Sequence, residues 1–165
     1  MMIANSSMHA PYVRMGRGSY RVMCDVLIAM IPPIVLAESV LRAGGEVTGV
    51  EPQFFIDKGY EYDEITTLIV TRDMTERKTK MIELGDAFIA FPGGTGTLEE
   101  ISEIMSKVSL KQLAAPCILY NLNGYYDHLK ALLAHMIDMG LSTPERQEGI
   151  YFAETLDEIR VILHI

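Results

Sequence analysis

From residue 34 onward, short apolar runs alternate with longer segments in which apolar residues recur every three or four positions. The short runs predict β-strands, and the longer segments predict amphipathic helices. The predicted strands are Glu46–Val50, Thr66–Thr71, Asp86–Phe91, Cys117–Tyr120 and Ile150–Ala153. The predicted helices are Ile34–Arg42, Met74–Leu84, Thr97–Val108, Tyr125–Met139 and Thr155–Leu163. Before residue 22 no period is clear, so the pattern assigns no element there.

Local signals at the helix ends agree with this segmentation. Asp73 is a plausible N-cap for the second helix, and Thr143 precedes a proline at the first helical position of a short additional helix. Thr155 and Glu158 have the spacing of a capping box.

The order of the elements predicts the fold class. Strands that alternate with helices of ten or more residues imply parallel crossovers, and strands that are apolar on both faces suit a sheet covered on both sides. We therefore expect a single α/β domain with a Rossmann-like, doubly wound parallel sheet. In such a sheet, ligands bind beyond the carboxyl ends of the strands.

Composition narrows the function classes. The chain has 165 residues and a formal net charge of −8, which argues against a general nucleic-acid binder. Two cysteines form no disulfide framework, the four histidines lack metal-ligand spacing, and no 18-residue apolar run exists. These features predict a cytoplasmic protein with no metal site, no membrane span and no nucleic-acid partner. Residues 1–35 carry a net +2 and are expected to be an atypical segment before the α/β domain at 36–165.

The segment Phe91–Glu100 carries the strongest chemical signal. Gly93, Gly94 and Gly96 follow a buried strand and lead into a helix, where unpaired N–H groups and the helix dipole favour an anion such as phosphate. The hydroxyls of Thr95 and Thr97 can add donors. The alternative is a tight strand-to-helix turn that uses glycine only for its backbone freedom.

Charged residues near this loop allow two interpretations each. Glu100 either stabilises a developing positive charge or closes a capping box with Thr97, and spacing alone does not separate the two. Arg77 and Lys78 are adjacent, so they point about 100° apart on their helix, and a surface role is favoured for each. Tyr125 and Tyr126, after an Asn-Gly turn, are expected at a loop rim.

Two motifs in this order resemble the LONELY GUY family. They are Arg77-Lys78 and the run Pro92-Gly93-Gly94-Thr95-Gly96-Thr97-Leu98-Glu99-Glu100, which is similar to the family's PGGxGTxxE signature. The resemblance extends from about residue 36 to the C-terminus. In residues 1–35 the family's first strand and second glycine loop are not recognisable, so an atypical or missing N-terminal strand is expected.

The resemblance implies a nucleotide phosphoribohydrolase that cleaves the N-glycosidic bond of an adenine-type or cytokinin nucleoside 5′-monophosphate such as AMP. It also implies a Rossmann-like homodimer that needs no cofactor. Arg77 and Glu100 match the family's catalytic pair. Its substrate-binding positions match Lys78, Gly93, Gly94, Thr95, Gly96, Thr97 and Glu99. The competing hypotheses are a non-catalytic nucleotide-binding protein of the same fold and a structural subunit of an oligomer.

Overall fold

The computed structural model describes residues 11–14, 22–25, 33–58 and 64–165, with side chains from residue 37 onward. Its strands are β1 (Pro11–Arg14), β2 (Val22–Asp25), β3 (Glu46–Pro52), β4 (Thr67–Thr71), β5 (Ala87–Ala90), β6 (Cys117–Tyr120) and β7 (Ile150–Ala153). Its helices are α1 (Pro33–Arg42), α2 (Gln53–Ile56), α3 (Met74–Leu84), α4 (Thr95–Ser109), α5 (Asp127–Asp138), α6 (Pro144–Gln147) and α7 (Leu156–Leu163). Each strand and helix that the pattern predicts is present, and no boundary differs by more than two residues.

The strands form one sheet in the order β4-β3-β1-β2-β5-β6-β7. β3 and β4 pair in parallel, and so do β2, β5, β6 and β7 in succession. The α/β fold with parallel strands is therefore confirmed. β1 lies antiparallel to both of its neighbours, which the sequence pattern does not predict.

The first 35 residues contribute β1 and β2 to this same sheet, between β3 and β5. Both strands have only four residues and stand in a stretch with too few alternating positions to show a period of two. Residues 1–10, 15–21 and 26–32 lie outside the described residues. The division of the chain at residue 35 stays a prediction.

Helices cover both faces of the sheet. On one face, Val50, Phe88 and Leu119 pack with α4 residues such as Ile101 and Met105. On the other face, Ala87 and Ile118 pack against Ile159 and Leu163 of α7. The strand register aligns Val47 with Ala87 through β1 and β2, so both residues lie on this face. There Val47 packs against α1. This two-sided cover is what a doubly wound sheet requires.

The strand order reverses its direction between β3 and β5. The chain moves outward from β3 to β4, and α3 then carries it back across the sheet to β5, from which β6 and β7 follow in the opposite direction. The carboxyl ends of β3 and β5 therefore flank a topological switch point, which is where ligands bind in open α/β sheets. None of the described helices combines the length and the apolar character that crossing a membrane requires.

Side-chain N-caps begin α3 and α7 at the residues that the sequence indicates. The Asp73 carboxylate accepts a hydrogen bond from the Glu76 N–H at 2.8 Å, and Thr155 accepts one from the Glu158 N–H at 3.2 Å. Glu158 accepts in turn from the N–H of Glu154, one residue before the position that a capping box uses. The cap at Asp73 matters most for the site, because it starts the helix that carries Arg77.

We expect Asp73→Ala to lower the free energy of unfolding by about 1 kcal/mol, because the Glu76 N–H loses its acceptor. Urea denaturation measures this change. Asp73→Asn is the matched control, since asparagine is an equally good N-cap. Equal stability of the alanine variant and the parent protein would contradict the assignment of this cap.

Candidate active site

The glycine-rich segment leaves β5 and runs directly into α4. The helix begins at Thr95, two residues earlier than predicted, and its N-cap Gly94 supplies no side-chain hydrogen bond. Thr97 is consequently the third residue of the helix and is buried, so the alternative in which Thr97 starts a capping box with Glu100 is wrong. The N-cap glycine has no side chain to accept from the first N–H groups of α4, and N–H groups at a helix start favour an anion.

The three glycines of this segment do not serve the backbone turn. Gly93, Gly94 and Gly96 are absent from the described residues with positive φ, and Gly94 has a φ of −84° that any residue adopts. A Cβ added at Gly94 would meet no heavy atom within 4 Å. The backbone there faces open space, which favours close approach of a ligand over a purely structural turn.

Arg77 is the centre of the site and is fully buried, so the surface role that the sequence favours is wrong for this residue. Its Nε donates to the carbonyl of Val50 at the end of β3, at 3.0 Å. Its Nη1 donates to Oε1 of Glu100 at 2.5 Å. Arg77 and Glu100 are 0% and 6% exposed, so this ion pair is shielded from solvent.

Each side chain of this ion pair has one buried polar atom without a hydrogen-bond partner among the described residues. These atoms are Nη2 of Arg77 and Oε2 of Glu100. A buried polar atom without a partner costs free energy, and such atoms concentrate where a protein binds a ligand. The pair is therefore suited to hold a polar, partly charged molecule.

Glu51 adds a second buried carboxyl group beside Arg77. It follows Val50 at the end of β3 and is 3% exposed. Burial raises the pKa of Glu51 to about 7, and the positive charge of Arg77 partly opposes that rise. One guanidinium thus lies close to two acidic side chains, and burial disfavours the charged form of Glu51.

Lys78 and Glu99, both predicted to bind substrate, lie together at the outer edge of the site. Nζ of Lys78 is 3.0 Å from Oε1 of Glu99 and 3.3 Å from Oε2 of Glu103, which ties α3 to α4. The hydrogen bond with Glu99 raises the pKa of Lys78. Arg77 and Lys78 thus diverge as their helical spacing predicts, one into the interior and one towards solvent.

A second set of contacts supports the glycine segment from the α5 side. The Tyr126 hydroxyl donates to the carbonyl of Phe91 at 2.6 Å, and the Tyr125 hydroxyl donates to the carbonyl of Gly93. Asn121, buried at the end of β6, accepts from the Tyr126 N–H and donates to Asp127. Tyr125 lies at the loop rim as expected, whereas Tyr126 is buried in the core.

Sequence reasoning missed Glu51 and Asn121. Glu51 lies one residue beyond the predicted strand, and the signal that could have found it is an acidic residue directly after a buried apolar run. Asn121 holds the equivalent place after β6. Both lie at carboxyl ends of strands, where polar residues are placed to contact ligands.

Other features of the described residues lie away from this cluster. A cavity of about 530 Å³ opens at the amino ends of β5, β6 and β7, where Asp86, Pro116 and Tyr151 line it. Cys117 is buried in β6, and burial raises the pKa of its thiol to about 12, as expected for a small apolar core residue. Within the described ranges, no group of three His, Cys, Asp or Glu side chains is placed to hold a metal ion.

Comparison with known proteins identifies related sequences. The family model described as "Possible lysine decarboxylase" matches residues 34–162. A cytokinin riboside 5′-monophosphate phosphoribohydrolase of Rhodococcoides fascians is 39% identical over 74% of this chain and 62% of its own length. A protein of the same name from Arabidopsis thaliana is 34% identical over 76% of this chain and 55% of its own length.

A probable cytokinin riboside 5′-monophosphate phosphoribohydrolase of Oryza sativa subsp. japonica is 37% identical over 68% of this chain and 49% of its own length. The chain thus spans about half to three-fifths of the curated relatives that it matches. The matched family region contains Arg77, the glycine-rich segment and Glu100.

We expect Gly94→Ala to fold with unchanged or slightly raised stability, by up to about 1 kcal/mol, because alanine fits this φ and the space is open. The same methyl group stands where a ligand would approach, so affinity for inorganic phosphate is expected to fall. Thermal denaturation and isothermal titration with phosphate measure the two effects. A destabilised variant would show that the glycine serves the turn.

We expect Glu51→Gln to change the pH dependence of stability. The pKa of Glu51 in the folded protein, about 7, lies above its ordinary value of 4.5. Its contribution to stability is therefore fully present below pH 4.5 and is lost as the pH rises through 7. Glutamine stays neutral, so the variant should gain stability relative to the parent protein between pH 5 and pH 8.

Urea denaturation at pH 5, 6.5 and 8 measures this gain. Glu83→Gln is the matched control, because Glu83 is exposed and pairs with Lys80 on the surface of α3. Parallel stability profiles of the Glu51→Gln variant and the parent protein would contradict the raised pKa.

Proposed function

Because the chain belongs to the family of the matching model, the LONELY GUY family, we propose that it is a nucleoside 5′-monophosphate phosphoribohydrolase. It hydrolyses the N-glycosidic bond and releases the free base and ribose 5-phosphate. The proposed substrate is AMP or a cytokinin riboside 5′-monophosphate, in keeping with the names of the relatives.

The observation that carries this proposal is the buried pair of Arg77 and Glu100 at the switch point of the sheet. Each side chain uses one terminal atom for the other and keeps one buried terminal atom without a partner. The pair lies beside an uncapped helix start with open space at Gly94. A site with a carboxylate, a guanidinium and an anion-binding backbone suits a ribose phosphate that develops positive charge.

Glu100 is proposed to act on the ribose. As the bond between the anomeric carbon and the base nitrogen breaks, its electrons go to the base and the ribose becomes a cation resembling an oxocarbenium ion. A nearby carboxylate stabilises that cation and orients the attacking water, whose oxygen bonds to the anomeric carbon. One water proton leaves with the base, so atoms and charge balance without a metal or another cofactor.

Arg77 is proposed to bind the substrate and to hold Glu100 in place. A guanidinium has only hydrogen-bond donors, in a planar and fixed arrangement. The Val50 carbonyl and Glu100 fix two of its nitrogens, which leaves Nη2 to reach the substrate. This arrangement orients Glu100 before the substrate arrives, and such preorganisation is a main source of catalytic power.

The start of α4 is proposed to bind the 5′-phosphate. Gly93, Gly94 and Gly96 allow close approach of the phosphate, and the hydroxyls of Thr95 and Thr97 add polar contacts. Lys78 and Glu99 are proposed to contact the substrate from the outer edge, where their ion pair lies. We also propose a homodimer, as the family resemblance implies.

We expect Glu100→Gln to lower kcat for release of free base by roughly 100-fold or more, because a neutral amide stabilises the ribose cation poorly. The assay incubates the protein with AMP and with isopentenyladenosine 5′-monophosphate and measures free base by chromatography. Glu83→Gln is the matched control. It makes the same change at an exposed carboxylate in the last turn of α3, which pairs with Lys80 and has no proposed role at the site.

Turnover by the Glu100→Gln variant at the parent rate, at equal folded fraction, would contradict the role of Glu100. Binding of AMP by the unaltered chain without release of base would instead favour the non-catalytic nucleotide-binding protein. Thermal stabilisation by neither AMP nor phosphate would favour the structural subunit.

A further inference from the structure

Two adjacent tyrosines contact the glycine-rich segment on the side of α5. The Tyr126 hydroxyl donates to the Phe91 carbonyl at 2.6 Å, and the Tyr125 hydroxyl donates to the Gly93 carbonyl. The two carbonyls flank Pro92, which has no N–H of its own to donate. Together the hydroxyls fix the orientation of the backbone on both sides of this proline.

The tyrosines are themselves held firmly. Oδ1 of Asn121 accepts from the Tyr126 N–H at 2.6 Å, and Nδ2 of Asn121 donates to Asp127 at 2.8 Å. The two tyrosine rings meet edge to face, with centroids 4.9 Å apart. Tyr126 is buried, whereas Tyr125 is half exposed. Tyr125 therefore contributes little to the packing of the hydrophobic core.

The contact at Gly93 determines where the next N–H points. In a trans peptide unit the carbonyl and the following N–H point in nearly opposite directions. Since the Gly93 carbonyl points to Tyr125, the Gly94 N–H points away from Tyr125. That N–H meets no acceptor among the residues that the structure describes.

Two other features of the site belong to the same segment as this N–H. A Cβ at Gly94 would enter open space, so a ligand has room beside this backbone. Oε2 of Glu100, in the same helix, is buried and lacks a partner among the described residues. A hydrogen bond to the Gly93 carbonyl also polarises the peptide unit, which strengthens the Gly94 N–H as a donor.

We propose that Tyr125 is a positioning residue for phosphate binding: its hydroxyl orients the Gly93–Gly94 peptide so that the Gly94 N–H donates to the substrate's 5′-phosphate. This inference rests on the proposed function and adds a residue outside the PGGxGTxxE run. Tyr125 acts through the backbone and leaves Arg77 and Glu100 unchanged. Its effect therefore falls on affinity for the phosphate group.

The test is Tyr125→Phe, which removes one hydroxyl group and retains the ring that packs on Tyr126. We expect the dissociation constant for ribose 5-phosphate, measured by isothermal titration, to rise roughly 3- to 10-fold, the effect of losing about one hydrogen bond. KM for AMP should rise by a similar factor while kcat changes less than about twofold. Loss of a purely structural contact would not separate KM from kcat in this way.

Tyr151→Phe is the matched control, because Tyr151 is also exposed and lies at the amino end of β7. It should bind ribose 5-phosphate as the parent protein does. Circular dichroism and thermal denaturation establish that both variants fold.

Unchanged affinity of the Tyr125→Phe variant for ribose 5-phosphate would overturn the inference, and so would a parent protein that does not bind this ligand. Weaker binding of ribose 5-phosphate by the variant, in a chain that releases no base from AMP, would support the role of Tyr125. That result would contradict the proposed hydrolysis alone. Failure of this inference and failure of the proposed function are thus distinguishable.

Discussion

The site depends on one buried ion pair, which lies where the strand order of the sheet reverses. Arg77 comes from α3, which packs on β3 and β4, and Glu100 comes from α4, which packs on β5 and β6. Burying both charges is costly, and the cost is offset only when geometry and hydrogen bonding are good. The Val50 carbonyl and the contact with Glu100 supply part of that compensation, and the remaining polar atoms of the pair suit a bound substrate.

The glycine-rich segment complements this pair by presenting backbone instead of side chains. Its conformation at Gly94 requires no glycine, so the lack of a side chain there is best explained by a ligand. Tyr125 and Tyr126 hold the segment from the other side, at carbonyls that a ligand would not use. Side chains thus fix the backbone, and the backbone is proposed to bind the phosphate.

The sequence pattern predicts most of the elements because strands and helices after residue 34 have clear periods and caps. It also locates the glycine-rich segment and Glu100. It could not predict the burial of Arg77, because only the crossing of α3 over β3 places this residue in the interior. It missed β1 and β2, whose four residues show no period, and Glu51, whose importance depends on its closeness to Arg77.

The ion pair of Arg77 and Glu100 also connects two parts of the sheet, which the antiparallel strand β1 separates. β4 and β3 form one parallel group, β2, β5, β6 and β7 form the other, and β1 joins the two through a strand of four residues. Arg77 and Glu100 span the same junction on the α3 and α4 side. Separating the two groups of strands would break this ion pair and leave a guanidinium and a carboxylate without each other's charge. Because that is costly, the pair couples the two groups of strands into one cooperative unfolding unit.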